Sequence, residues 1–183
     1  MFHDLKLVFV HCEKTGGSSI EKALCDSVEM DEDREGNTNP KYKHRSLEDY
    51  KVLEGYTVFS VVRNPFDRLI SMFYWASKEP KTTQGIKNWL NGGIGLPTMT
   101  ERLKGKGGGL VLLCYEDLQF DFDVFMKSIG LDSIELPFLN KSDSRLPIAE
   151  LIDEELRVKI VNLYKDDFEQ FSYSTELKKE VLR

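Results

Sequence analysis

Lys14 opens a short polar run, Lys14-Thr15-Gly16-Gly17-Ser18-Ser19, that puts one cation, two glycines and three hydroxyls within six residues. Each has a use in holding a phosphate. Glycines let backbone N–H groups approach an anion, a following helix offers its unsatisfied first donors, hydroxyls add hydrogen bonds, and lysine adds a point charge. The run is not the nucleoside-triphosphatase loop, which requires Gly, four residues and then Gly-Lys-Ser/Thr; here the lysine precedes the glycines, which weakens a kinase or ATPase reading. The plainer reading is a tight strand-to-helix turn with Gly16 and Gly17 serving backbone geometry and Ser18 or Ser19 as cap. A turn needs glycine and a cap, but not a lysine and three hydroxyls around one point.

A second polar cluster follows a second apolar run: Val61-Val62-Arg63-Asn64-Pro65-Phe66-Asp67-Arg68-Leu69-Ile70-Ser71. Arg63 at the strand end can fork onto a phosphate, and Ser71, about two turns into the next helix, can donate a hydroxyl. Alternatively Arg63 pairs with Asp67 and Ser71 is a small packing residue. Two anion sites on neighbouring strand ends point to one ligand with two separate phosphate groups. The histidines are His3, His11 and His44. A histidine can take an alcohol proton near neutrality, but His44 in Lys43-His44-Arg45-Ser46 also reads as a surface residue of a basic turn. Glu48 or Asp49 is a substitute base. His11 reads as a strand-end residue hydrogen-bonded near the loop, and no role is assigned to His3.

Positioning these residues requires strands and helices in alternation. Leu5 to His11 is a short apolar run leading into the glycine loop, and Ile20 to Leu24 has helical composition. The stretch 30–39 is polar and reads as a solvated loop, and Ser46 to Tyr50 as a short capped helix. Tyr56 to Val62 is β-branched and aromatic. Asn64 as cap, Pro65 at the first helical position and Asp67 in the first turn mark a helix continuing through Trp75. Glycines and Pro97 break the period from Lys78 to Gly109, predicting an irregular insertion with one short helix around Ile86 to Leu90. Leu110 to Tyr115 is a third strand, Asp117 to Ile129 a helix, and Ile148 to Phe171 one long amphipathic segment. Alternating strands and helices, with nearly continuous apolar strands, predict a single α/β domain whose parallel sheet is covered on both faces. Both polar clusters then fall beyond the carboxyl ends of strands, where such folds bind ligands.

The chain has 183 residues, enough for one domain, and its composition excludes disordered, collagenous and coiled-coil classes. With 25 Lys+Arg against 31 Asp+Glu the net charge is -6, which disfavours nucleic acid or an anionic membrane as partner. Cys12, Cys25 and Cys114 are odd in number and lack metal-ligand spacing, so neither a disulfide framework nor a metal site is expected. With no signal segment and no apolar run of membrane-spanning length, a cytoplasmic location is expected.

The Lys14 run resembles the 5′-phosphosulfate loop of sulfotransferases that use 3′-phosphoadenosine 5′-phosphosulfate, and Arg63 with Ser71 resembles their 3′-phosphate site. The carbohydrate-modifying branch is most similar: its loop commonly reads His-x-Pro-Lys-Thr-Gly-Gly-Thr-Ser and its second motif Val-Arg-Asn-Pro-x-Asp-Arg-x-x-Ser. Tyr115-Glu116-Asp117-Leu118, Leu136 to Ser142 and Tyr164 to Glu169 resemble later family segments in the right order. The resemblance implies the P-loop-like sulfotransferase fold and a carbohydrate or glycoconjugate acceptor, with no metal. It also implies Lys14 as stabiliser of the leaving oxygen and His44 as general base. Lys14, Thr15, Gly16, Gly17, Ser18 and Ser19 would hold the 5′ group, and Arg63 and Ser71 the 3′-phosphate. Lys141 and Ser142 lie in a segment that approaches the nucleotide in relatives. Two departures stand out. Glu13 replaces proline beside Lys14, so it must point away, pair with a cation or weaken donor binding. The chain is also shorter than typical relatives around 78–109, on the acceptor side. A phosphoryl-transfer enzyme, or an inactive module that binds the nucleotide, are the alternatives. The acidic balance disfavours a long, highly sulfated acceptor.

Overall fold

Leu7-Val8-Phe9-Val10 carries no polar side chain and forms β1 (Leu7–Val10), every residue of it buried. The computed structural model describes residues 1–27, 44–50, 54–93, 95–105, 109–137 and 146–177; the expected loop at 30–39, and Lys141 and Ser142, lie outside them. β2 (Thr57–Val62) and β3 (Leu110–Cys114) complete a parallel sheet of order β1-β2-β3. The register pairs Val10 with Ser60 and Val62 with Cys114, so the strands end at one edge, where residues 11, 63 and 115 leave the sheet.

The chain divides into two compact units. The first comprises residues 1–63 and 101–141 and contains the sheet. Helices α1 (Gly17–Ser27) and α5 (Leu118–Ser128) pack on it through Ile20, Leu24, Phe122 and Phe125. Phe9 and Phe59 are register partners with ring centroids 5.0 Å apart, and Phe59 meets Phe125 at 4.5 Å; such offset pairs add to area burial. β1 and nearly all of β2 are buried as expected of a covered parallel strand. β3 differs: among its residues only Leu113 is buried, while Val111 and Leu112 are exposed, although β1, the other edge strand among the described residues, is covered throughout.

The second unit, residues 64–100 and 142–183, is helical in its described residues. α2 (Pro65–Ala76) starts as the sequence predicts, with Pro65 in its first turn and the Asn64 side chain accepting from Phe66 N at 2.9 Å. Its apolar stripe, Phe66, Leu69, Ile70 and Phe73, is buried with Ile86 and Trp89. The short helix expected around Ile86 to Leu90 is α3 (Thr83–Asn91), capped by Thr82 Oγ1 accepting from Gly85 N at 3.2 Å, and the stretch otherwise expected to be irregular also holds α4 (Met99–Arg102), whose last two residues fall in the first unit. The long amphipathic segment from Ile148 to Phe171 is three helices, α6 (Ile148–Leu151), α7 (Glu154–Leu163) and α8 (Lys165–Gln170). Ile152 is extended, and Asp153 starts a new helix by accepting from Leu156 N at 2.9 Å; an apolar period runs through such a break without recording it. Asp167 and Arg68 are buried here, 3.7 Å apart.

Candidate functional site

The turn from β1 into α1 is built on two residues with positive φ, Lys14 at 63° and Gly16 at 83°. For lysine that conformation costs on the order of 1–2 kcal/mol. Flanking Thr15, which is not left-handed, they alternate the hand of the backbone, the pattern from which anion-binding concavities are built. α1 then begins at Gly17 and runs for 11 residues, adding the donors and positive end of a helix N-terminus. Ser18 and Ser19 are half-buried on its first turn. Thr15 is fully buried and its hydroxyl donates to Cys12 O at 2.9 Å, so its backbone N–H, not its side chain, is what it can offer a ligand.

Packing explains part of the glycine pattern. A Cβ on Gly17 would meet the His11 ring at 2.3 Å, and one on Gly16 would meet Leu118 and Tyr115 at 3.0 Å. Both positions are closed from the protein side, which the sequence could not tell from closure by a ligand. His11 Nδ1 donates to Glu21 Oε1 at 2.8 Å in a buried pair, which locks the ring against Gly17.

Arg63 leaves β2 at the same edge. It is 7% exposed; Nη1 donates to Lys14 O at 3.0 Å, and its guanidinium lies 3.8 Å from the centre of the Tyr115 ring. The arginine thus grips the carbonyl of the strained lysine, and Tyr115 supports it by cation–π stacking. Ser71 belongs to the second unit, buried on α2 one turn beyond Arg68. The first unit therefore brings Lys14 to Ser19 and Arg63 together, whereas Ser71 is placed within the other.

His44 lies beside the loop, its ring 4.6 Å from that of His11 and nearly perpendicular to it. Its Nδ1 is 3.1 Å from His11 O. A carbonyl only accepts, so Nδ1 carries the proton and, in the neutral ring, Nε2 holds the lone pair. That is the tautomer a base needs. Of the substitute bases, Asp49 accepts from Ser46 N at 2.8 Å and Glu48 is exposed. His3 bonds the Tyr56 hydroxyl at 2.6 Å, away from the loop. Cys12 is buried against Ser60 Oγ at 3.6 Å.

Glu13 is paired. Arg102, at the end of α4, donates Nε to Oε2 at 3.3 Å and Nη2 to Oε1. Burial, the largest influence, pushes the Glu13 carboxyl up, yet the Arg102 hydrogen bonds, a backbone hydrogen bond and the charges of Arg102 and His44 together hold it below the usual carboxylate range. Tyr115, Glu21 and Arg102 were not legible as site residues. Tyr115 could have been suspected from its place just after a strand; Arg102, 89 residues from its partner, gave no signal.

Among the described residues no cluster of three or more His, Cys, Asp or Glu could hold a metal ion, and no helix is long and apolar enough to cross a membrane. Residues 1–129 match the model of the Sulfotransferase family, well over half of the 183 residues. The chain belongs to the sulfotransferase family. The matched segment contains β1 through α5 and every residue from Lys14 to Ser71 discussed above. Its α/β architecture, a parallel sheet flanked by helices, is that of the family, and sulfuryl transfer is the family's general chemistry. No curated protein matches the chain at a significant level.

Proposed function

We propose that this sulfotransferase moves the sulfuryl group of 3′-phosphoadenosine 5′-phosphosulfate onto a hydroxyl of a carbohydrate or glycoconjugate. The observation that carries the reading is the left-handed Lys14, gripped through its own carbonyl by Arg63. A strained cation held at a strand end beside a helix N-terminus is a costly arrangement for a plain turn and a useful one for an anion. The donor supplies an activated sulfuryl group on a phosphate leaving group. Lys14 neutralises charge growing on the leaving oxygen, and the N–H groups of Thr15, Gly16, Gly17 and Ser18, with the Ser18 and Ser19 hydroxyls, hold the 5′-phosphate. Arg63 and Ser71 take the 3′-phosphate. His44 accepts the acceptor's proton at Nε2. The reading treats residues 1–183 as one catalytic domain, with 78–109 on its acceptor side. Cys12, Cys25 and Cys114 are odd in number and widely spaced, which fits a reducing, cytoplasmic setting. The net charge of -6 favours a small or weakly charged acceptor.

The test is thermal melting with 3′-phosphoadenosine 5′-phosphate, without magnesium. A rise in Tm for the wild type, lost in Lys14→Ala and Arg63→Ala, supports the reading; no rise overturns it. A panel of saccharide acceptors with the phosphosulfate then separates an enzyme from a module that only binds. Magnesium-dependent stabilisation by ATP instead would mark a phosphoryl-transfer enzyme.

A further inference from the structure

We infer that Glu13 and Arg102 are positioning residues for Lys14, an ion pair that holds the loop through the residue before the lysine while Arg63 holds the lysine's own carbonyl. This rests on Lys14 being the catalytic cation. A lysine with φ of 63° stays there only when its surroundings over-determine it. Three restraints converge on residues 12–15. Thr15 Oγ1 bonds Cys12 O across the turn, and Arg63 Nη1 bonds the Lys14 carbonyl. The third fixes the residue just before Lys14: Glu13 offers both carboxylate oxygens to the Nε and Nη2 fork of Arg102. A side-on fork sets direction as well as distance, which a single charge does not. The Glu13 and Arg102 side chains are only 13% and 21% exposed, so solvent competes weakly for either.

Two consequences can be separated. If the pair only cancelled the Glu13 charge, losing it would weaken binding of the anionic donor. If it holds Lys14, losing it must loosen the loop before any ligand is present and lower turnover more than affinity. Hydrogen exchange of the ligand-free protein, read on peptides covering residues 12–19, tests this without substrate. Arg102→Ala and Glu13→Gln are expected to speed exchange there at least tenfold while Tm falls by only about 2–4 °C and exchange elsewhere changes little, and Arg102→Lys is expected to restore little because it lacks the fork. With an acceptor in hand, kcat should fall at least tenfold while Kd for 3′-phosphoadenosine 5′-phosphate changes less than threefold. Unchanged loop exchange in Arg102→Ala, or a loss confined to Kd, overturns the inference. If the wild type fails to bind the nucleotide, the functional reading falls, whereas the exchange result still decides whether the pair holds the loop.

Discussion

Two carboxylates, one in each unit, face an arginine, and they differ in what holds them. Glu13 meets Arg102 with both oxygens while keeping some contact with water. Asp167 is fully buried, and Arg68 stands 3.7 Å away. The close partners of Asp167 are Met99 N at 2.9 Å, Thr100 N at 2.8 Å and Thr100 Oγ1 at 2.9 Å. Asp167 is thus a buried anion that closes the start of α4, with arginine as counter-charge, whereas Glu13 is a charge beside a ligand loop with arginine as its main contact. The first pair is an account of folding. The second is an account of where a lysine sits.

The largest effect should come from Asp167→Ala, which leaves the Met99 and Thr100 donors and the Arg68 charge buried without their carboxylate. We expect a loss of about 3–5 kcal/mol in denaturant unfolding, with nucleotide affinity of the folded fraction unchanged. A smaller loss than for Glu13→Gln would break the comparison. His44→Ala should lower turnover by about 10²-fold or more while leaving nucleotide affinity and Tm nearly intact; unchanged turnover removes His44 as base. Gly17→Ala should cost about 1–3 kcal/mol, since its methyl group meets the His11 ring and overpacking of that kind is paid for in displaced side chains. The companion change His11→Ala should relieve part of that cost in a double-mutant cycle.

The smallest effect sharpens the comparison by pH. The Glu13 carboxyl is held below its ordinary range, so the unfolded chain takes up its proton first as the solution is acidified. Its contribution is complete above the ordinary carboxylate pKa and is lost as pH falls through the depressed folded value. The stability difference between wild type and Glu13→Gln should be about 1 kcal/mol near pH 7 and should shrink toward zero in acid. A difference that grows on acidification would contradict the pairing.

Much of the molecule could be read from local signals, because local chemistry creates it. Asn64 and Pro65 mark the start of α2 by capping and fixed φ, and the Lys14 run marks a loop between an apolar strand and a helix. What escaped is what depends on distant residues. Arg102 reaches Glu13 across 89 positions and Asp167 reaches Met99 across 68, so neither leaves a pattern within a window of sequence. The helix expected around Ile86 to Leu90 is short because Gly92, Gly93, Gly95 and Pro97 follow it closely. Gly92 does end it, and the helix gains its first residues because Thr82 caps ahead of Gly85. Gly17 was read partly through a ligand's needs, while an imidazole packed against it supplies a sufficient reason.

That imidazole has wider reach. His11 orients His44 through its carbonyl, meets Glu21 through Nδ1 and closes Gly17 with its ring. In a saturation screen scored on product formation, position 11 would therefore register as intolerant as an active-site residue although it handles no substrate atom. Only a parallel screen scored on protein abundance would separate it from Lys14 and His44, because damage at a hub of this kind lowers the yield of folded molecules along with the rate of each one.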